Sequence, residues 1–290
     1  MAARSVCLFA QYDPSGRIGA HTLRYVAHLA ACGFTVHVAC SGVAALAAED
    51  AAALAAAGAV GHARPNAGLD FGAWQDLLRL GCAEGADEVL LANDSVFGPF
   101  ADLGPIFAAM RARRLDAWGM VASDEGVPHL QSWFLCLTAA ALARPAVRRV
   151  LGQDFAAMTK PEIVLHGELG LGAALRAAGL TSGAVFAEGR RDRLRRFARI
   201  NPMHLHWAWM IRHGGVPFLK VELLRDNPIR IWWAGRWRAV VSADWHDTIA
   251  ARLGRAVPGE RPPLRTLALY LALTRDRALS ASGAMRWRYK

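Results

Sequence analysis

The sequence predicts an α/β fold: a mostly parallel, Rossmann-like sheet flanked by helices and followed by a C-terminal helical and irregular extension. Three observations predict it. From residue 4 to about 186, short apolar runs alternate with segments whose apolar residues recur at helical spacing. The runs themselves, such as Val6 to Ala10 and Val89 to Ala92, are apolar throughout, as strands covered on both faces must be. Most of them stop abruptly at small polar residues: Asp13 to Gly16, Ser41-Gly42, and Asn93-Asp94-Ser95.

Taken in order, Val6 to Ala10 is the first strand, and Leu23, Val26, Leu29 and Ala30 carry a helix that Gly33 closes. Val36 to Cys40 is the second strand, and the alanine-rich stretch Val43 to Ala57 is a helix ending at Gly58. A polar turn with Asn66, Gly68 and Asp70 then leads into an amphipathic helix bearing Trp74, Leu77, Leu78 and Leu80. Val89 to Ala92 has the length and flanks of a buried parallel strand. Helices are expected around Ile106 to Arg114 and over Ala139 to Val150, with strands at Ala117 to Ala122 and Trp133 to Leu137. A last helix within Glu162 to Gly179 is entered through His166-Gly167-Glu168. Strand, helix, strand, helix is the rhythm of a sheet covered on both faces.

The character changes near Gly189, which divides the chain into an α/β unit over 1–188 and a basic, tryptophan-rich region over 189–290. The formal net charge of +10 points to anionic company, and much of it lies after residue 186, in Arg190 to Arg199, around Arg225 to Arg238, and at the C-terminus. The five cysteines are scattered without metal-site spacing, which reads as buried thiols in a reducing compartment, hence the cytoplasm. The polar start is too short for a secretory signal. The longest apolar run, Leu264 to Leu273, is about half of the roughly 20 residues a bilayer crossing needs.

Open α/β sheets bind ligands beyond the carboxyl ends of their strands, so Asn93, Asp94 and Ser95 stand where chemistry is expected. A carboxylate there suits a hard divalent cation, magnesium or manganese, which takes oxygen ligands and meets substrate phosphates. The competing reading makes Asp94 and Ser95 caps of the next turn.

Five segments, Arg64 to Trp74, Leu90 to Pro99, Asp116 to Leu135, His166 to Gly179 and Pro217 to Pro228, closely resemble in this order the motif series of the rhamnan synthesis protein F family. The resemblance spans about Val6 to Pro228 and leaves the last sixty or so residues uncovered. It implies a glycosyltransferase of bacterial polysaccharide assembly. The same pieces are similar, more loosely, to nucleotide-sugar transferases of the GT-A fold. That likeness implies that Asn66 and Gly68 form the donor-side turn, that Asp94 takes the place of the metal motif, and that Glu168 is the base of an inverting transfer. Asn93-Asp94-Ser95 departs from the Asp-x-Asp pattern, which puts the strength of metal binding in question.

The other assignments rest on that frame. Asp70 meets the sugar or the nucleotide, or caps its helix. Asp13 lies where a nucleobase or ribose would sit. His129 and Gln131 precede a buried strand and serve as hydrogen-bonding groups or as structure. His204 and His206 face one side only if their segment is extended, which leaves His204 a metal ligand or a packed histidine. Lys220 and Arg225 meet diphosphate oxygens or remain solvated cations. The expected partners are a nucleotide-sugar donor such as dTDP-rhamnose, a polysaccharide or lipid-linked glycan acceptor, and an anionic membrane surface for the tryptophan and arginine segments. Nucleic acid is not expected, because no nucleic-acid module accompanies the basic residues. A non-catalytic sugar-binding or scaffold protein is the second reading, prompted by the missing second aspartate.

Overall fold

A computed structural model describes residues 4–124, 127–187 and 201–254. The expected basic run Arg190 to Arg199, the apolar run Leu264 to Leu273 and the basic C-terminus fall outside them. The chain opens with β1 (Ser5–Tyr12), α1 (Ala20–Ala31), β2 (Phe34–Ser41), α2 (Ala48–Ala56), β3 (Ala59–Arg64), α3 (Leu69–Arg79) and β4 (Glu88–Asn93). It continues through β5 (Val96–Phe97), α4 (Gly104–Ala112), β6 (Ala117–Ser123), β7 (His129–Leu130), β8 (Phe134–Thr138), α5 (Ala139–Leu142), α6 (Pro145–Leu151), α7 (Lys160–Ile163), α8 (Gly170–Ala177) and β9 (Ser182–Ala187).

Eight strands form one sheet in the order β3-β2-β1-β4-β8-β6, with β7 and β9 both paired to β6. The pairs β1–β2, β1–β4, β2–β3 and β6–β9 are parallel. Strand β8 runs against both β4 and β6. The reason lies in its connection: a parallel return needs a long crossover, and the chain reaches β8 from β6 through the short β7 without a helix. Side chains alternate across the sheet. Cys7, Phe9, Val36, Val38, Leu90 and Ala92 pack under α1 and α4. Val6, Leu8, Ala10, Val89 and Leu91 pack under α3, α6 and α8. The lengths of the apolar runs follow from this double cover.

Three helices differ from expectation, each for a local reason. α2 starts at Ala48 rather than Val43, because the N–H groups of Gly42 and Val43 both bond to the carbonyl of Arg64 and hold that segment beside the end of β3. The helix expected over Ala139 to Val150 breaks before Pro145, where Arg144 is forced into an extended conformation. The helix expected to begin at Glu168 instead runs from α7 through a π-helical stretch, Val164–Leu169, into α8, so Glu168 lies inside it. Strand β3 was not anticipated, since Ala59–Arg64 is neither apolar nor cleanly alternating.

From residue 201 onward, Met203, Met210, Val216 and Phe218 enter the core under α1 and α4, so this segment completes the sheet's cover. β10 (Leu219–Lys220) then pairs antiparallel with β5, and a third core forms around Phe97, Trp207, Leu223, Trp237 and Trp245. Trp237, whose segment the sequence leaves either at a membrane interface or in the core, is 2% exposed and fills that core. All five cysteines are free thiols, four of them buried. Among the described residues, no helix is long and apolar enough to cross a membrane.

Candidate functional site

Parallel pairing brings the carboxyl ends of β1, β2, β3 and β4 to one edge, and the polar residues that follow them gather there. Asn93 ends β4 and is buried. Its Nδ2 donates to Asp70 Oδ2 at 2.5 Å, and its Oδ1 accepts from the Ser95 amide and hydroxyl at 3.1 and 2.6 Å. Asp94 accepts the Tyr12 amide at 3.1 Å through Oδ2, across from the end of β1. Ser95 in turn accepts from Lys220 Nζ at 3.2 Å. The tripeptide is therefore a junction joining β1, α3 and β10. Asn93 and Ser95 spend their polar atoms on holding it together.

Two backbone devices fix this junction. Gly98 has φ +130°, and a Cβ there would lie 2.5 Å from the Pro217 carbonyl oxygen, so only glycine admits the strand that carries Lys220. Lys220 stands opposite Val96, and Val221 donates to the Ser95 carbonyl at 2.9 Å. On the other side, Gly68 (φ +72°) opens α3 against Phe155 and so puts Asp70 in the first turn of the helix. Arg64 holds the turn before it. Buried at 6% side-chain exposure, it bonds Asp76 at 2.7 Å, Ser41 Oγ at 2.8 Å and the Ala67 carbonyl at 2.6 Å. Asn66 sits exposed in that turn.

Glu168 arrives from the opposite direction, on the π-helical stretch. Its Oε2 accepts the Ser132 amide and hydroxyl at 2.7 and 2.5 Å, and Oε1 lies 3.4 Å from His129 Nε2. His129 Nδ1 meets the Val127 carbonyl at 2.8 Å. The Glu168 side chain keeps 22% exposure. Its charge reaches both Asp70 and Lys220, and the charge of Asp70 reaches Asp94. Asp94 and Glu168, 74 positions apart, are thus linked electrostatically through Asp70, which Lys220 also faces.

The electrostatics of the three acids differ. Burial, reinforced by the charge of Asp70, raises the Asp94 carboxyl to about 7. Burial raises Asp70 to about 6, against the pull of Lys220 and the Asn93 hydrogen bond. For Glu168, burial alone would raise the value, but the His129 contact and the two Ser132 hydrogen bonds outweigh it and hold the group below the ordinary carboxylate range. Lys220 is lowered by burial, and the surrounding carboxylates pull it part of the way back. Its ammonium lies 5.7 Å from the centre of the Trp133 ring.

The remaining expected residues lie as follows. Asp13 caps its own turn through Ser15 and pairs with Arg252 at 2.8 Å; burial would raise its carboxyl, but these bonds and the arginine charge lower it. Gln131 is buried, receives the Trp133 indole N–H at 2.9 Å and donates to Asn201 Oδ1 at 3.0 Å, so it is committed to structure. His204 is not in an extended segment: it lies in the helix Pro202–Leu205, buried, with Nε2 3.4 Å from Glu222 and its pKa lowered to about 4 by burial. The residue the fold sets beside Asp94 is Asp70. Arg225 ends the helix Val221–Arg225 and pairs with Asp226 at 2.8 Å.

Sequence reasoning missed three residues. Ser132 positions Glu168. Tyr12, 45% exposed, stands at the end of β1 beside Asp94. Arg252, on the helix His246–Leu253, brings a positive charge to Asp13 and Asp94. The Gln11-Tyr12-Asp13 strand end could have revealed Tyr12, whereas nothing local marks Arg252, which depends on how the third core folds back. A cavity of about 610 Å³, lined by Gln75, Leu78, Val89, Leu142 and Leu151 among others, lies by the start of β4. It holds no acid and sits away from the edge where these groups meet.

The fold and site define an α/β protein of the Rossmann-like class with a polar sheet edge built from acids and a half-buried lysine. The family model described as rhamnan synthesis protein F matches residues 41–232, and the chain belongs to that family. Membership gives it a glycosyltransferase-like role in polysaccharide synthesis. No curated protein matches the chain. Among solved structures, CMP:2-keto-3-deoxy-manno-octonic acid synthetase complexed with CTP is similar at 13% identity over 64% of this chain and 90% of that one, with a TM-score of 0.39. This likeness is too remote to bear on the site.

Proposed function

We propose that the chain is a GT-A-like glycosyltransferase that moves a sugar, rhamnose or another deoxyhexose, from a nucleotide-diphosphate donor to a growing cell-surface polysaccharide or lipid-linked glycan. The observation that carries the reading is the electrostatic coupling of Asp94, Asp70, Lys220 and Glu168, which come from four separate segments. Glycosyl transfer needs the charge of the leaving diphosphate neutralised and the acceptor hydroxyl deprotonated. Lys220 and Arg252 bring positive charge to the donor side. Tyr12 offers an exposed ring at the strand end for a nucleobase. Glu168, kept ionised by Ser132 and His129, faces the acceptor and takes its proton.

The donor set also fits a hard cation. Asp94 and Asp70 are oxygen ligands that repel one another, and magnesium or manganese held between them would neutralise the leaving phosphate. A cytoplasmic, peripheral location beside a lipid-linked acceptor suits the half-buried Trp232 and Trp233 and the arginines around them.

Thermal-shift screening of nucleotide sugars, with and without manganese, tests the reading. A cognate donor raises the melting temperature of the wild type and not of Lys220→Ala, because a ligand that binds only the folded state stabilises it. If no nucleotide sugar shifts the melt and none is hydrolysed or transferred, the transferase reading is wrong. Donor binding without turnover is the result expected of a sugar-binding scaffold.

A further inference from the structure

On the sheet face under α3, well back from the carboxyl edge, three side chains converge that the transferase chemistry does not use. β2 and β3 pair in parallel with His37 opposite Val60 and Ala39 opposite His62, so the two histidines stand on one face, two positions apart in register. Cys82 comes from the turn that follows α3, where its amide bonds to the Leu77 carbonyl at 3.1 Å and fixes the thiol above them. His37 Nδ1 lies 3.1 Å from His62 Nε2, and Cys82 Sγ lies 3.9 Å from the same Nε2. One ligand atom from each residue lies within 4.8 Å of the other two. Among the described residues, no other group of three histidines, cysteines or acids meets that condition.

We propose that His37 Nδ1, His62 Nε2 and Cys82 Sγ form a site for a borderline-soft divalent cation, zinc in the first instance, separate from the carboxylate edge. Zinc bonds of about 2.0–2.3 Å in tetrahedral geometry set neighbouring ligand atoms about 3.3–3.6 Å apart, and the observed separations bracket that range. Two nitrogens and a thiolate select zinc over magnesium or manganese, which prefer oxygen. Burial, with the nearby charges of His62 and Arg4, lowers the pKa of His37, and burial lowers that of His62, which favours the neutral imidazoles a metal ion needs. Burial raises the Cys82 thiol, so the ion itself must displace the thiol proton, which leaves to solvent. Both histidines are half-buried, which leaves an entry path and a fourth position for water. An ion here ties the C-terminal end of α3 to the β2–β3 edge, and α3 carries Asp70 at its other end.

The experiment uses the full chain without a histidine tag and without any nucleotide sugar, so its outcome is independent of the transferase reading. Equilibrium dialysis against zinc is expected to give one tightly bound ion per chain. Cobalt should give the intense visible bands of a four-coordinate ion with a thiolate-to-metal charge-transfer band. Cys82→Ser should lose that charge-transfer band, and His62→Gln should weaken zinc by more than the about 10–100-fold that outer-shell partners are worth. Cys32→Ser should change neither. A six-coordinate cobalt spectrum in the wild type overturns the proposal without recourse to any variant. So does a wild-type stoichiometry near zero, or a charge-transfer band that persists in Cys82→Ser.

Discussion

Asp94 and Asp70 are ionised at a cost. A carboxyl whose folded pKa is raised holds its proton in the native state above the pH at which the unfolded chain releases it. Its contribution is therefore full below about pH 4 and is lost as pH rises through the folded value. For Asp94 this window runs from the ordinary 3.8 to about 7. Asp94→Asn removes the buried charge while keeping an acceptor for the Tyr12 amide. The variant is expected to melt about 2–4 °C above the wild type at pH 8, the shift corresponding to about 1 kcal/mol, with the gap narrowing below pH 7 and closing near pH 4. Transfer activity should fall in the same variant, and calorimetry at the two pH values beside a donor assay checks both halves. With no divalent cation added, the acid limb of kcat/KM should lie between about 6 and 7, where Asp70 and Asp94 titrate, rather than at the low value of Glu168. Glu168→Gln should lower kcat by about 10²–10⁴-fold, the usual worth of a proton-transfer group, with donor affinity unchanged.

At the scale of single elements, the turn into α3 rests on Arg64. Removing one partner of a buried ion pair costs about 3–5 kcal/mol; Asp76 is 33% exposed, which places Arg64→Ala near about 3 kcal/mol. Urea denaturation measures it, and Arg64→Lys should recover little, since a lysine cannot reach Asp76, Ser41 and Ala67 together. Gly98→Ala meets both the left-handed φ and the Pro217 carbonyl, so it should displace β10 and abolish donor binding while the main sheet's circular dichroism persists.

Most elements could be read from the chain because strands buried on both faces leave unbroken apolar runs. β3 could not, because an edge strand bearing His62 and Arg64 carries its polar groups for partners that appear only in three dimensions. The position of Glu168 was likewise hidden: Gly167 and Gly170 suggest a helix boundary, yet both lie within the continuous helix.

For the molecule as a whole, the change of composition near residue 189 is not a change of core. Met203, Met210, Val216 and Phe218 pack with Phe9, Tyr25 and Phe134. A fragment ending at residue 187 is therefore expected to lose its cooperative unfolding transition and expose apolar surface, which calorimetry and dye binding would detect. The carboxylate edge was partly legible, since Asp94, Asp70 and Glu168 follow from strand ends and motifs. Lys220 was legible as a cation only, because its placement depends on a two-residue strand joined to a segment over a hundred positions earlier.

That short ladder has a consequence for how related chains can vary. Side chains alternate along a strand, so a slip of one residue in β10 would present Leu219 to Ser95 and turn the ammonium outward. Insertions and deletions upstream of Pro217 should therefore survive only where they leave the Leu219–Phe97 pairing in step. The placement of the Lys220 ammonium, not the length of the intervening chain, would be what natural variation is obliged to respect.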